Sequence, residues 1–436
     1  MSGEKCFEIL DKIFEPKNKE PIEKIKGYTI KYGNIVEKGK IIDEVLVSYF
    51  KAPKSYTTEN MCEINSHGGN IIVKKILELC LNNGAELAEA GEFTKRAFLN
   101  GRIDLLQAES VIDIINAKSE REAKTGIQQL EGFLSNEIGK IKKDIMDVMI
   151  NIEVAIDYPE YDVDDVTINQ INDMLNVVEN KLQKLEKSFD NGKIIKEGIK
   201  TAIIGKPNAG KSSLLNAILK EDRAIVTEYE GTTRDTIEEF VNINGIPLKL
   251  VDTAGIREAE DAVEKIGIIK SREVAQDADL VIAIFDASKS LGKEDLEILE
   301  LIKNKKAIIL LNKIDLDSKI DENEINIKAA NSKVIKISAL NKVGIDQLYD
   351  EITKMFNLSE INLDQEVVIT NIRHKNLIDK AIQSTKKAKQ TVEDKMPLDI
   401  IAIFIKDILE DLGNITGEVV TEDIINEIFS KFCLGK

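Results

Sequence analysis

Eight consecutive residues, Gly205-Lys206-Pro207-Asn208-Ala209-Gly210-Lys211-Ser212, restrict the folds open to this chain more than any other stretch. They fit G-x-x-x-x-G-K-[ST], a phosphate-binding loop that works only between a buried strand and the start of a helix. The flanks supply both. Lys200-Thr201-Ala202-Ile203-Ile204 reads as a buried strand, and Ser213 to Leu219 reads as a helix. In such a loop the glycines let backbone N–H groups curl around phosphates, Lys211 reaches the β and γ oxygens, and the Ser212 hydroxyl ligates Mg²⁺. Asn208, Ala209, Gly210, Lys211, Ser212 and Ser213 are therefore expected to contact a nucleoside triphosphate. A glycine-rich turn of purely structural use is the competing reading, and the flanks disfavour it.

Later motifs select the base. Asp252-Thr253-Ala254-Gly255 follows a predicted strand, Leu248–Val251. A carboxylate there can hold Mg²⁺ through water, and the Gly255 N–H can meet a γ-phosphate. Asn312-Lys313-Ile314-Asp315 follows a predicted strand, Ala307–Leu311. The Asp315 carboxylate can accept both N1–H and N2–H of guanine, a pair that adenine lacks. Ser338-Ala339-Leu340 follows a predicted strand, Val334–Ile337, and suits the remaining guanine-side loop. Each motif is weak alone; in this order, at strand carboxyl ends, they point to GTP. Between the P-loop and Asp252, Gly231-Thr232-Thr233-Arg234-Asp235 places Thr233 to complete a Mg²⁺ shell, and the stretch from Thr227 is a candidate switch ordered by the γ-phosphate. Ile256 stands where a Ras-type enzyme has its water-orienting glutamine, so another group must orient the water. Neither Arg234 nor Arg257 is an obvious arginine finger.

The rest of the chain frames this domain. Residues 1 to about 100 read as α+β, with strands Ile41–Phe50 and Met61–Ile64 and a helix Ile71–Leu81 after His67-Gly68-Gly69. His67 is open to a catalytic or a structural turn reading. From Arg102 the pattern turns helical. Leu130, Leu134, Ile138, Ile141, Ile145, Val148 and Ile152 form one apolar stripe, the mark of a bundle core. An acidic break at Asp157–Asp165 precedes a further helix expected to end near Asn191-Gly192. From about Val367 to the end the pattern is helical again. The expected fold is multidomain: an α+β N-terminal domain (1–100), an α-helical bundle domain in two pieces (101–197 and 358–436), and between them an inserted α/β Ras-like P-loop GTPase domain (198–357) with an open, mostly parallel sheet.

A net charge of −17 over 436 residues argues against non-specific polyanion binding by the surface as a whole. Lys375, Lys380, Lys386, Lys387 and Lys389 could form a local basic patch or simply a solvated helix face. No apolar run approaches a membrane span. Cys6, Cys62, Cys80 and Cys433 form no C-x-x-C pair, which suits a reducing, cytoplasmic setting.

Taken together, the P-loop with its Pro207-Asn208-Ala209 core, Gly231–Asp235, Asp252–Gly255 and the terminal Cys433-Leu434-Gly435-Lys436 resemble the MnmE (TrmE) family of tRNA-modifying GTPases. So do Tyr56-Thr57, Glu63, His67-Gly68-Gly69 and Gly91-Glu92-Phe93 through Leu105. The resemblance covers nearly the whole chain. It implies a homodimer that works with an FAD-dependent partner, MnmG, to place an aminomethyl-type group on C5 of the wobble uridine of certain tRNAs, with a 5-formyl-tetrahydrofolate-type folate as one-carbon source. It further implies K⁺ held by Asn208, Thr227, Tyr229 and Thr232, with Glu228, Glu230 and Gly231 in the same nucleotide loop. K⁺ there places positive charge where an arginine finger otherwise sits. Glu264 corresponds to the family's water-orienting glutamate, Cys433 to its terminal cysteine, and Glu63, Arg102 and Lys436 to folate-site positions. Relative to the family, about twenty N-terminal residues, including a folate-contacting arginine, are expected to be missing before Met1.

Two other classes are disfavoured. A ribosome-assembly GTPase needs an RNA-binding appendage, and no GxxG-bearing basic segment follows residue 357. A membrane-remodelling GTPase needs an apolar or strongly basic tip, and none is evident.

Overall fold

The computed structural model describes residues 1–18, 26–157, 165–219, 239–243, 245–251, 275–321, 324–325, 327, 332–356, 367–433 and 435. Contacts divide the chain into two compact units. One comprises Met1–Ile112, Gln128–Leu175 and Gln383–Lys436; the other comprises Asp113–Ile127 and Asn176–Ile382.

The N-terminal region opens with α1 (Cys6–Ile13) and an antiparallel sheet of order β1-β2-β3-β4: Phe14–Pro16, Thr29–Glu37, Lys40–Phe50 and Met61–Asn65. Val45, Val47 and Tyr49 alternate inward along β3 and pack with Leu10, Ile13 and Ile35. α2 (Asn70–Asn82) adds Ile76, Leu79 and Cys80 to that core. α3 (Glu92–Leu99) follows.

The predicted stripe is real but belongs to two helices. After α4 (Leu105–Ile115), α5 (Glu120–Leu130) ends at Leu130, whose carbonyl accepts the Gln107 side-chain amide at 2.8 Å. α6 (Phe133–Asp157) then carries Leu134, Ile138, Ile141, Ile145, Val148 and Ile152, all buried. α7 (Asp165–Glu197) also departs from expectation, because it runs through Asn191-Gly192 without stopping. Gly192 serves close approach: a Cβ there would collide with the Ile369 carbonyl of the segment before the helix that starts at Ile372. The acidic break itself falls largely outside the described residues.

The second unit contains a sheet of order β10-β9-β8-β5-β7-β6 among the described residues. Its strands are β5 (Ile199–Ile204), β6 (Glu239–Ile243), β7 (Ile246–Leu250), β8 (Leu280–Asp286), β9 (Ala307–Asn312) and β10 (Lys333–Lys336). All neighbours pair in parallel except β6 with β7. β8 and β9 read as unbroken apolar runs because both faces are covered. Ile282, Ile284, Ile308 and Leu310 face one core, while Val281, Ala283, Phe285, Ile309 and Leu311 face the other. α8 (Lys211–Leu219), α9 (Lys293–Ile302) and α10 (Ile345–Met355) contribute buried Leu214, Leu299 and Leu348 to these layers. β5 has β7 on one side and β8 on the other, so chain order reverses at its carboxyl end, where open α/β sheets place their ligands.

The chain closes with α11 (Ile372–Glu393), α12 (Leu398–Thr416) and α13 (Glu422–Ser430). α12 packs along α6, and its Ile401, Ile405, Ile408, Leu412 and Ile415 are buried. Of the lysines on α11, Lys375 is paired with Asp379 at 2.8 Å, whereas Lys380, Lys386 and Lys387 are exposed. No helix among the described residues is long and apolar enough to cross a membrane.

Candidate functional site

The P-loop leaves β5 at its carboxyl end, and crowding dictates its small residues. A Cβ on Gly205 would lie 2.5 Å from the Ile284 carbonyl oxygen. Gly210 adopts φ +107°, and a Cβ there would run into the Asn312 side-chain amide. Asn208 sits at φ +60°, the left-handed region that asparagine tolerates better than most residues, and it is exposed. Ala209 is buried. Lys211 opens α8 and turns its ammonium back on the loop, donating to the carbonyls of Gly205 at 2.7 Å and Lys206 at 2.8 Å. Burial lowers its pKa from the ordinary lysine value. Ser212 and Ser213 follow, exposed, in the first turn of α8. A hard oxygen donor beside a lysine at a helix N-terminus fits Mg²⁺ bound with a polyphosphate.

Asn312, at the end of β9, is the joint between the two halves of the nucleotide site. Its side-chain amide donates to the Ala209 carbonyl at 2.9 Å, and its side-chain oxygen accepts the Ala339 N–H at 2.9 Å. One buried amide thus fixes P-loop, β9 and the loop after β10 together. Lys313 has φ +68° and places its ammonium 2.7 Å from Asp286 at the end of β8. That cation, with the Ser288 N–H and hydroxyl, holds the Asp286 carboxyl below its ordinary value, against the opposing effect of burial. Asp315 accepts the Ser338 hydroxyl at 2.6 Å, which orients the carboxylate expected to read guanine. Ile314 N–H donates to Ile337 O at 3.3 Å, and Leu340 is 81% exposed at the rim. The structure therefore brings the P-loop, Asn312 to Asp315 and the Ser338 to Leu340 loop together at the carboxyl end of the sheet. Thr227, Glu228, Tyr229, Glu230, Gly231, Thr232, Thr233, Asp252, Thr253, Ala254, Gly255 and Glu264 lie outside the described residues. Asp286 escaped the sequence reading because nothing local distinguishes an aspartate ending an apolar strand.

The other unit carries a second cluster. Glu63 on β4, Tyr56, Cys62, Phe93 and Gly435 line a pocket of about 510 Å³. The Arg102 guanidinium lies 4.4 Å from the Tyr56 ring centroid, so its charge is held beside the same pocket. Cys433 is exposed, and its carbonyl accepts the Gly91 N–H at 3.3 Å. Phe429 and Phe432 pack with Ala97 and Ile103 and seat this terminal segment against α3. Lys436 lies outside the described residues. His67 is not among the lining residues; its ring and its N–H both bond Asp43, at 2.8 and 2.9 Å, at the entry to α2. Tyr56 and Phe93 belong to stretches that carry the family resemblance, but their place in the pocket lining comes from the packing.

Known proteins align with this arrangement. The GTP-binding protein TrmE N-terminus family model matches residues 1–102, and the MnmE helical domain model matches residues 105–433. A tRNA modification GTPase MnmE from Acetivibrio thermocellus is 50% identical over 438 residues, spanning 100% of this chain and 95% of that protein. The protein of that name from Clostridioides difficile is 50% identical over 436 residues, with the same coverage.

Proposed function

Because the chain belongs to the MnmE family of tRNA modification GTPases, we propose that it hydrolyses GTP in a K⁺-dependent manner and, with an FAD-dependent MnmG partner, modifies C5 of the wobble uridine (position 34) of certain tRNAs to a (carboxymethyl)aminomethyl group. The observation that carries the nucleotide half is the Asn312 joint, which holds the phosphate loop and the guanine-side loop in one frame. Asp315, oriented by Ser338, reads N1–H and N2–H of the base. Lys211 exchanges the carbonyls of Gly205 and Lys206 for phosphate oxygens when nucleotide enters. Ser212 and Thr233 would hold Mg²⁺, which supplies charge against the β- and γ-phosphates. Asn208, Thr227, Tyr229 and Thr232 would hold K⁺, which supplies the positive charge of an absent arginine finger. Glu264 orients the attacking water in place of the glutamine replaced by Ile256.

In the modification half, Glu63, Arg102 and Lys436 bind a 5-formyl-tetrahydrofolate-type folate, and Cys433 acts on the modification pathway. The domain division into 1–100, 101–197 with 358–436, and 198–357 belongs to the same proposal, as do homodimerisation and action in the cytoplasm.

The test is GTP turnover by the full chain in K⁺ and in Na⁺ at equal ionic strength. Na⁺ is too small for the ligand set, so turnover should be at least about tenfold faster in K⁺, a differential transition-state stabilisation of about 1.4 kcal/mol. Equal rates would remove K⁺ from the mechanism.

A further inference from the structure

Two lysines of the nucleotide site are gripped from the same short connection. Asp286 at the end of β8 holds Lys313 of the guanine motif, and nine residues on, Asp295 holds Lys206 of the P-loop at 2.6 Å. The same Asp295 oxygen accepts the Gly292 N–H at 2.8 Å, so the carboxylate also closes the first turn of α9. Asp295 is 8% exposed. Its helix is anchored in the core by Leu299 and Ile302, packed with Phe285 and Ile309. The lysine approaches so closely that a Cβ on Gly292 would lie 2.7 Å from its Nζ. A rigid acceptor therefore meets a cation on the loop that must keep its shape around the phosphates. The Lys206 main-chain carbonyl is moreover one of the two acceptors of the Lys211 ammonium.

We propose that Asp295 is a positioning residue of the nucleotide site: through Lys206 it holds the P-loop in its phosphate-binding shape and sets how long bound nucleotide is retained. The physical basis is pre-organisation. A loop already held in its binding conformation loses less freedom on binding, and that saving appears in the dissociation rate. A charge-assisted bond to a nearly buried carboxylate is strong enough to matter, whereas a fully exposed pair would not be.

Asp295→Asn separates this role from helix capping, because its side-chain oxygen still accepts the Gly292 N–H while the charge on Lys206 goes unanswered. In the full chain with Mg²⁺, release of N-methylanthraniloyl-GDP should quicken about tenfold, as expected for a lost charge-assisted hydrogen bond. KM for GTP should rise, while the single-turnover hydrolysis constant at saturating GTP stays within about twofold, since no group at the reacting phosphate changes. Lys206→Met should quicken release similarly, and the double variant should be no faster than either single one. Unchanged release in Asp295→Asn, or single effects that multiply in the double variant, would overturn the proposal. So would a cooperative loss of fold in Asp295→Asn, since the carboxylate would then be structural.

Discussion

Glu122 is a carboxyl group in the wrong place for a charge. It is buried at 7% exposure in the first turn of α5, accepting the Lys118 N–H at 2.6 Å while its own N–H donates to Ser119 at 3.1 Å. The Ser119 side chain caps the Glu122 N–H while the Glu122 carboxylate reaches back to the Lys118 N–H, so the side chain is held inward by two local backbone bonds. Burial pushes its pKa up from 4.5 to about 7, against the opposing pull of the Lys118 N–H. The folded chain thus binds this proton more tightly than the unfolded chain does. Stability from this group is fully present below 4.5, and it is lost as pH rises to about 7. The loss amounts to about 3 kcal/mol at most, at roughly 1.4 kcal/mol per pH unit. Glu122→Gln keeps an acceptor for Lys118 without the charge, so its thermal midpoint should exceed the wild-type value at pH 8 and converge with it near pH 4.5. Parallel pH profiles for the two proteins would mean that Glu122 ionises freely.

Among the elements, α6 shows how directly a periodic pattern converts into energy. Ile145 lies at the centre of its stripe with 0% exposure, whereas the next residue, Met146, is 47% exposed. Ile145→Ala should cost about 2–5 kcal/mol in chemical denaturation, and Met146→Ala less than about 1 kcal/mol. Comparable losses would show that both faces of the helix are packed. The same periodicity made the helix legible in advance, as two-sided burial did for β8 and β9. β2 was not legible, because Ile30 and Tyr32 point outward at 63% and 50% exposure and invert the usual alternation. The stop assigned to Asn191-Gly192 failed for a related reason. A glycine needed for close approach to Ile369 has the same letter as one that ends a helix. Contiguous motifs such as Gly205–Ser212 and Asn312–Asp315 could be read directly, whereas Asp286 and Asp295 gain their meaning only from strand register and helix placement.

At the scale of the whole molecule, the P-loop belongs to one compact unit and Cys433 to the other. The two chemistries should therefore be separable by a substitution that touches only the terminal segment. Gly91 offers one. It caps α3 at φ +68°, donates its N–H to Cys433 O at 3.3 Å, and leaves no room for a side chain, since a Cβ would lie 2.8 Å from Phe432. An alanine there incurs about 1–2 kcal/mol for the left-handed backbone and about 1–3 kcal/mol for overpacking. Both penalties are relieved if the segment carrying Cys433 leaves its seat. On the function proposed above, Gly91→Ala should thus lower tRNA modification by roughly tenfold or more, assayed with MnmG, tRNA, folate and GTP, while GTP turnover by the same preparation stays near wild type. Full modification by the variant would show that the docked segment is dispensable. Equal loss of both activities would instead place Gly91 in a fold-wide role, because the terminal segment makes none of the described hydrogen bonds that join the P-loop, Asn312 and Asp315.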